Sequence, residues 1–140
     1  MKTDAGKAAL ELLSILRRVC AKLPDAEEYV MVHHPAFRVG KKPFAIAGME
    51  EATKGATISV NLGHDVQPQL LDDARFARTP YIGQHGWVTV PHARLRKGEL
   101  DMLVTDSFRR VANRKQLAAL NGAVQPAPKA ARKRDKALRK

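Results

Sequence analysis

Apolar side chains recur at helical spacing near both ends of the first 120 residues. Over residues 5–23 a stripe of leucine, isoleucine and valine lies opposite a charged side, and over 96–114 a second stripe has the same form. Both segments are predicted to be amphipathic helices. The first ends before Pro24, because the residue preceding a proline is driven out of the α region. A short helical piece over 114–120 follows the second, and Asn121-Gly122 is typical of a helix stop.

Between the two long helices the chain is richer in β-forming residues. Short runs of them, separated by glycine, proline and charged side chains, predict five strands of an antiparallel meander, at residues 29–33, 37–40, 44–48, 57–62 and 87–90. Lys41-Lys42-Pro43 lies where a hairpin turn is required, and Asp65 is placed to cap a short helix over 66–74. Strands between helices, not alternating with them, indicate an α+β fold. We expect an antiparallel sheet of about five short strands packed against N- and C-terminal helices in a compact single domain.

The composition of the 140 residues is that of a globular protein. It includes 44% hydrophobic and 28% charged residues, which excludes a collagen-like or wholly disordered chain. Cys20 is the single cysteine, so the sequence offers neither an internal disulfide nor a cysteine-based zinc site. No stretch approaches the roughly 18 apolar residues that span a bilayer, and the first residues lack the apolar run of a signal peptide. We therefore expect a soluble cytoplasmic protein that does not bind membranes.

Net charge divides the chain into two parts. It has 25 basic and 14 acidic residues, a net charge of +11 and a sequence pI near 10.2, and a pI above about 9 is typical of nucleic-acid-binding domains. Residues 123–140 hold seven of the basic residues and one acidic residue, and therefore +6 of the net charge. This predicts an α+β domain over residues 1–122 and a disordered basic tail, rich in Ala, Pro, Lys and Arg, over 123–140.

Four short motifs occur in an order that resembles a known family. They are 23–28 (LPDAEE), 37–45 (FRVGKKPFA), Pro80-Tyr81 with 86–88 (GWV), and Glu99-Leu100 with Ser107-Phe108 and Val111. Over residues 8–120 the chain is thereby similar to the MmcQ/YjbR family of small bacterial proteins. The resemblance implies DNA binding and a compact α+β fold related to double-wing DNA-binding domains, and it brings no catalytic residues with it. Two positions depart from the family pattern, since Phe108 replaces a tyrosine and Arg110 an apolar residue.

Basic residues form three clusters before the tail, and all are candidate contacts to nucleic acid. The first is the hairpin turn, the second precedes the last long helix, and the third lies along that helix. Such cations neutralise phosphates and release condensed counterions, which favours binding without sequence preference. Together with the tail, the predicted DNA-binding residues are Arg38, Lys41, Lys42, Arg94, Arg96, Lys97, Arg110, Arg114, Lys129, Arg132, Lys133, Arg134 and Lys136.

These clusters also have structural interpretations. The lysines of the hairpin turn then only protect a sheet edge, and Asp106, four residues before Arg110, forms an ordinary intrahelical ion pair with it. The leading hypothesis is a monomeric, non-enzymatic binder of double-stranded DNA with low sequence specificity. The alternatives are a protein- or small-ligand-binding interaction module with an incidental basic tail, and an RNA-binding protein. A continuous basic face joining the first two clusters favours DNA, whereas dispersed charge beside an apolar cleft favours the module.

The other chemistry-bearing side chains predict no enzyme, metal site or cofactor. Cys20 and the rings of Trp87, Tyr81 and Phe37 are expected in the core. The five histidines are scattered, and neighbouring histidines at 33 and 34 in a strand would point to opposite faces, so they could not bind one metal ion together. The sequence contains no phosphate-binding loop, dinucleotide-binding fingerprint or nucleophile elbow.

Overall fold

The computed structural model describes residues 4–31, 33–49 and 55–124. Within them, the helices are α1 (Asp4–Cys20), α2 (Gly63–Leu71), α3 (Glu99–Val111) and α4 (Arg114–Val124). The strands are β1 (Ala26–Met31), β2 (His34–Val39), β3 (Lys42–Met49), β4 (Ala56–Asn61), β5 (Ala77–Arg78) and β6 (Trp87–Pro91), and short 3₁₀ turns at Gly83–His85 and His92–Arg94 flank β6. Among these elements, no helix is long and apolar enough to cross a membrane.

The strands form one antiparallel sheet in the order β1-β2-β3-β4-β6-β5. The predicted α+β architecture is confirmed, with an antiparallel sheet between N- and C-terminal helices. The described sheet has one strand more than the five predicted, because β5 adds a two-residue pairing with β6. Two residues are too few to show the alternation that marks a strand, so β5 is defined by its partner alone.

The hairpin between β2 and β3 closes through Gly40 and Lys41, so the turn begins one residue earlier than the predicted Lys41-Lys42-Pro43, and Lys42 and Pro43 belong to β3. Gly40 has a φ of +63°, a region that glycine enters without steric cost. Beyond the turn, Phe37 pairs with Ala45 and Arg38 with Pro43, so Phe44 has no partner in β2 and forms a β-bulge. The fully buried Phe44 ring lies in the core, where it meets the Phe108 ring edge-on at a centroid distance of 5.4 Å.

All four helices contribute side chains to one core on a single face of the sheet. Alternate strand residues such as Ile58 and Val60 pack there with Leu12 and Leu16 of α1 and with Val104 of α3. This alternation follows from the strand period of two, which sends successive side chains to opposite faces. The helices therefore lie over the face that the hydrophobic pattern predicts to be buried.

The opposite face, here called the open face, carries a smaller apolar cluster built from strands and one loop. Ala36, Ile46 and Trp87 form this cluster, and Tyr29, Met31 and Ile82 pack against it. None of these residues belongs to a described helix. The helices thus leave this side of the sheet available for a different use.

Several element boundaries differ from the predictions. The strand predicted at 29–33 begins and ends earlier, and His33 adopts a φ of +70° in the turn before β2, so it does not share a strand with His34. The stop predicted at Asn121-Gly122 is wrong, because α4 continues to Val124. Leu120, just before it, is buried in the core, and tertiary packing of this kind outweighs the low helix propensity of Asn and Gly.

Candidate functional site

Two of the three predicted basic clusters meet at one end of the sheet. Lys41 and Lys42 lie at the turn where β3 begins. Ser107 fixes α3 to the same end, because its buried hydroxyl donates to the Phe44 carbonyl oxygen at 2.6 Å and accepts the Asn61 N–H at 3.0 Å. The last turn of α3 therefore lies beside the beginning of β3 and the end of β4.

Helix α4 and the turn after α1 add further cations to this end. The Gln116 side chain donates to an Asp25 carboxylate oxygen at 3.1 Å, and Asp25 directly precedes β1, whose first residue pairs with the last residue of β2. Arg114 and Lys115 begin α4 beside that contact, and Lys22 lies in the turn between α1 and β1. We call this set the cationic end, and all its members are exposed: Lys22, Lys41, Lys42, Arg109, Arg114 and Lys115.

The cluster at residues 94–97 lies at the other end of the sheet. It follows β6, whose last residue, Pro91, pairs with Thr57, and Thr57 pairs in turn with Gly48 near the end of β3. The hairpin turn precedes the start of β3, and at about 3.3 Å per residue this eight-residue strand is roughly 26 Å long. The structure therefore joins two predicted clusters and separates Arg94, Arg96 and Lys97 from both.

Arg38 is already engaged by neighbouring side chains on the open face. Its Nε donates to a Glu27 carboxylate oxygen at 3.0 Å across the β1–β2 ladder. The guanidinium carbon also lies 4.4 Å from the centre of the Tyr29 ring, a cation–π distance. Because Glu27 and Tyr29 engage its guanidinium, Arg38 is less available to a nucleic-acid phosphate than the sequence predicts.

Arg110 is engaged in the same way, but its partner is not the predicted one. Its guanidinium donates to both carboxylate oxygens of Asp65, at 3.1 and 3.3 Å, and these hydrogen bonds hold the pKa of Asp65 below its usual value. The predicted intrahelical pair between Asp106 and Arg110 is wrong, because Asp106 approaches Arg109 instead, at 3.8 Å. Arg110 thereby ties α3 to the first turn of α2, a contact that no local spacing predicts.

The predicted contacts of the tail, Lys129, Arg132, Lys133, Arg134 and Lys136, lie outside the described residues.

Arg75 was not a predicted site residue, yet it has the densest set of polar contacts in the described chain. Its guanidinium donates to Asp73, to both carboxylate oxygens of Glu99 and to the Arg94 carbonyl oxygen, at 2.8 to 3.2 Å. Hydrogen bonds from Arg75 lower the pKa of Glu99 to about 2 and that of Asp73 to about 2. Because its donors are used within the protein, Arg75 holds the loop after α2 against the start of α3.

A groove of about 690 Å³ lies on the open face of the sheet. Its floor is formed by β3, β4 and β6, and its walls are the turn before β2, the segment 77–82 and residues near Arg75 and Arg94. Met31, Ile46 and Ile82 make much of the lining apolar. The apolar cleft expected of an interaction module is therefore present, whereas the basic face joining the first two clusters, expected of a DNA-binding protein, is not formed.

Hydroxyl groups form a line across the floor of this groove. Thr89 Oγ1 lies 2.7 Å from Ser59 Oγ and 2.9 Å from Thr79 Oγ1, so the three side chains form a hydrogen-bonded chain. Thr57 lies beside them and also lines the groove. Alternation along β4 and β6 places Thr57, Ser59 and Thr89 on the open face, while the isoleucine and valines next to them in these strands enter the core.

Gln67 anchors the groove wall from α2. Its buried side-chain amide donates to the carbonyl oxygens of Gly83 at 2.7 Å and Trp87 at 2.9 Å. These bonds hold the loop between β5 and β6 in place. The local sequence does not identify Gln67 as a residue that shapes the groove, because its partners are backbone atoms 16 and 20 residues away.

The expectation that Tyr81 lies in the core is wrong. Its side chain is 94% exposed, and it lines the mouth of the groove. Its φ is +69°, and the Ile82 N–H donates to the Pro80 carbonyl oxygen at 2.8 Å, which closes a tight γ-turn around Tyr81. A γ-turn with positive φ is rare and strained for a residue with a Cβ. Trp87 and Phe37, by contrast, are buried as predicted.

Cys20 is buried in the core as predicted, and desolvation raises the pKa of its thiol to about 12. A thiol with such a pKa stays protonated at neutral pH and is a poor nucleophile. Among residues 4–31, 33–49 and 55–124, no three His, Cys, Asp or Glu side chains are placed to hold a metal ion.

Comparison with known proteins agrees with the motif order. No curated protein matches the sequence. Among solved structures, the fold resembles that of the Deinococcus radiodurans protein DR2400, which has a DUF419 domain, with a TM-score of 0.61 and 20% sequence identity over 78% of this chain and 87% of that one. The sequence model of the YjbR family matches residues 21–110. Since this match covers more than half of the 140 residues, the chain belongs to the YjbR family.

Proposed function

We propose that this protein binds double-stranded DNA through the phosphate backbone, at the cationic end and with low sequence specificity. Although the first two predicted clusters do not share one face, exposed cations from three separate parts of the chain converge at the cationic end: the α1–β1 turn, the β2–β3 turn and the α3–α4 junction. This convergence carries the proposal. Such a surface neutralises several phosphates at once, and each neutralised phosphate releases counterions.

Helix stability does not account for all of these cations. Arg114 and Lys115 occupy the first turn of α4, where positive charge opposes the helix dipole, and that turn contains no acidic residue. Lys41 and Lys42 form no ion pair within the described residues. Neither helix stability nor an ion pair within the described residues accounts for these four cations, and phosphate groups would neutralise them.

Two further points support DNA as the partner. Lys41 in the β2–β3 turn and Lys42 at the start of β3 place two adjacent exposed cations at the end of the sheet, and a basic hairpin of this kind can lie along a phosphate backbone. The tail over residues 123–140 adds six net positive charges that attract any polyanion at long range. In this proposal the cationic end contacts the DNA phosphates directly, and the tail attracts the DNA at long range.

Titration of a labelled duplex, with single-stranded DNA and RNA of the same sequence as comparisons, tests the proposal. If about four phosphates are neutralised, raising the salt from about 50 to about 200 mM weakens duplex binding about 100-fold. Duplexes of unrelated sequence bind with similar affinity. Absence of duplex binding at the lower salt concentration contradicts the proposal, and a clear preference for RNA supports the RNA-binding alternative instead.

A further inference from the structure

The groove on the open face has the size and lining of a small-molecule site. Its volume of about 690 Å³ lies within the roughly 300–1,000 Å³ typical of pockets for drug-sized ligands. Apolar surface comes from Pro80 and Pro91 and from Met31, Ile46 and Ile82. A ligand that fills this space therefore needs an extended apolar body.

The floor supplies hydrogen bonds at a fixed place within the apolar lining. Three hydroxyls, of Ser59, Thr89 and Thr79, share two hydrogen bonds, so one proton and several lone pairs remain for a ligand. Gly48 lets the Thr57 hydroxyl approach the β3 backbone closely, because a Cβ added there would lie only 3.1 Å from Thr57 Oγ1. The ligand is thus expected to carry a hydroxyl or carbonyl group near its middle.

One end of the groove has a cation available for an anionic group. Of the two arginines that line the groove, Arg75 is engaged by Asp73 and Glu99. Arg94 is exposed, and its side chain forms no ion pair within the described part of the chain. A carboxylate matches its planar pair of donors.

The mouth of the groove presents an aromatic ring on a strained backbone. Tyr81 combines a φ of +69° with 94% exposure, so packing of the ring does not compensate for the strain of the turn. Strained backbone of this kind clusters at ligand-binding sites, where the strain positions a side chain. The Tyr81 ring is placed to cover an aromatic ligand, with which it gains offset-stacking contact.

We propose that this groove binds a small aromatic carboxylic acid that carries a hydroxyl or carbonyl group. The ring lies between the apolar walls under Tyr81, its polar substituent bonds to the hydroxyl line at Thr89, and its carboxylate pairs with Arg94. The proposal goes beyond the DNA-binding function and uses none of the residues of the cationic end.

The sole tryptophan reports on this site. Trp87 is buried in the open-face cluster with Ile46 and Ile82, which also line the groove. The probe is 3-hydroxy-2-naphthoate, whose absorption overlaps tryptophan emission, so that energy transfer from Trp87 measures binding without nucleic acid. The transfer is expected to saturate with one probe per protein. Naphthalene-2-ol, which lacks the carboxylate, is expected to bind more weakly.

Matched variants test the assigned contacts. Thr89→Val removes the central hydroxyl at nearly constant shape, and Arg94→Gln removes the paired charge, and each is expected to raise the dissociation constant about tenfold. Arg96→Gln removes an equal charge just outside the groove and is expected to leave the constant within about twofold of the wild type. Transfer that does not saturate, or equal weakening by the Arg94 and Arg96 variants, overturns the proposal. So does sedimentation showing that a second copy covers the groove and that the probe does not displace it.

Discussion

Arg75 and Glu99 form a bidentate ion pair, with Nη1 2.8 Å from Oε1 and Nη2 3.1 Å from Oε2. Only 14% of the Arg75 side chain and 19% of that of Glu99 are exposed. The pair joins the loop after α2 to the first turn of α3, and the Glu99 carboxylate also accepts the Arg96 N–H at 2.6 Å. This one contact therefore positions the end of the groove that contains Arg94.

Stability is expected to fall in acid through this cluster. The pKa of Glu99 is lowered from 4.5 to about 2 by its hydrogen bonds with Arg75. A carboxylate whose folded pKa is depressed stabilises the fold fully above its unfolded pKa, and that stabilisation is lost as pH falls from about 4.5 towards 2. The thermal midpoint of the Glu99→Gln variant, already lower at pH 7, should drop less between pH 7 and pH 3 than that of the wild type. Glu11→Gln, at an exposed site on α1, is the control and should follow the wild type, and parallel pH curves for the wild type and the Glu99 variant contradict this account.

Ser107→Ala should destabilise the protein more than its single lost oxygen suggests. The fully buried hydroxyl bonds both the Phe44 carbonyl and the Asn61 N–H, so its removal leaves one buried and one partly buried backbone group without this partner. Leaving a buried polar group unsatisfied costs about 1–3 kcal/mol. Urea unfolding measures the change, with Thr105→Ala, a partly exposed site on the same helix, as the control. A loss for Ser107→Ala no larger than that of the control would show that the link between α3 and the sheet is not structural.

Much of the fold follows from local pattern. The amphipathic stripes predict α1 and α3, and the runs around Phe44 and Val60 predict central strands, because periodicity reports which face is buried. The hydrophobic pattern does not predict elements whose extent depends on tertiary contacts. Helix α4 passes through Asn121-Gly122 because Leu120 is held in the core, and β5 exists only as a partner of β6.

The candidate sites were less predictable than the fold. The basic residues are visible in the sequence, but only the strand register and the Gln116–Asp25 contact show that Lys41 and Arg114 share an end that Arg94 does not. The partner of Arg110 is Asp65, 45 residues away, so the four-residue spacing between Asp106 and Arg110 predicts the wrong ion pair. The groove is built from hydroxyls of three segments, and no single run of residues encodes it.

Tyr81→Gly is expected to maintain or increase stability although it deletes a large side chain. Release of the positive-φ strain gains about 1–3 kcal/mol, and the added freedom of glycine in the unfolded chain costs about 0.5–1 kcal/mol. Tyr81→Ala keeps a Cβ and should gain nothing. Chemical denaturation of the two variants measures the difference. If the glycine variant is less stable than the alanine variant, Tyr81 is not strained.

Removal of residues 125–140, which leaves α4 intact and takes away six of the eleven net positive charges, should weaken duplex binding and reduce its salt dependence. Binding curves of the full chain and the truncated chain at several salt concentrations measure both effects. The folded part should still bind at low salt through the cationic end. Unchanged affinity and salt slope after truncation contradict the role proposed for the tail.

The most direct measurement of the central claim compares two double variants with equal loss of charge. Lys41→Ala with Lys42→Ala removes two contacts at the cationic end, whereas Arg96→Ala with Lys97→Ala removes two cations at the opposite end of the sheet. The measured quantity is the slope of log affinity for duplex DNA against log salt concentration, which changes by about 0.9 for each phosphate contact. The first variant should reduce the magnitude of the slope by about 2, and the second should leave it nearly unchanged. Equal changes in both variants, or no change in the first, would contradict DNA binding at the cationic end.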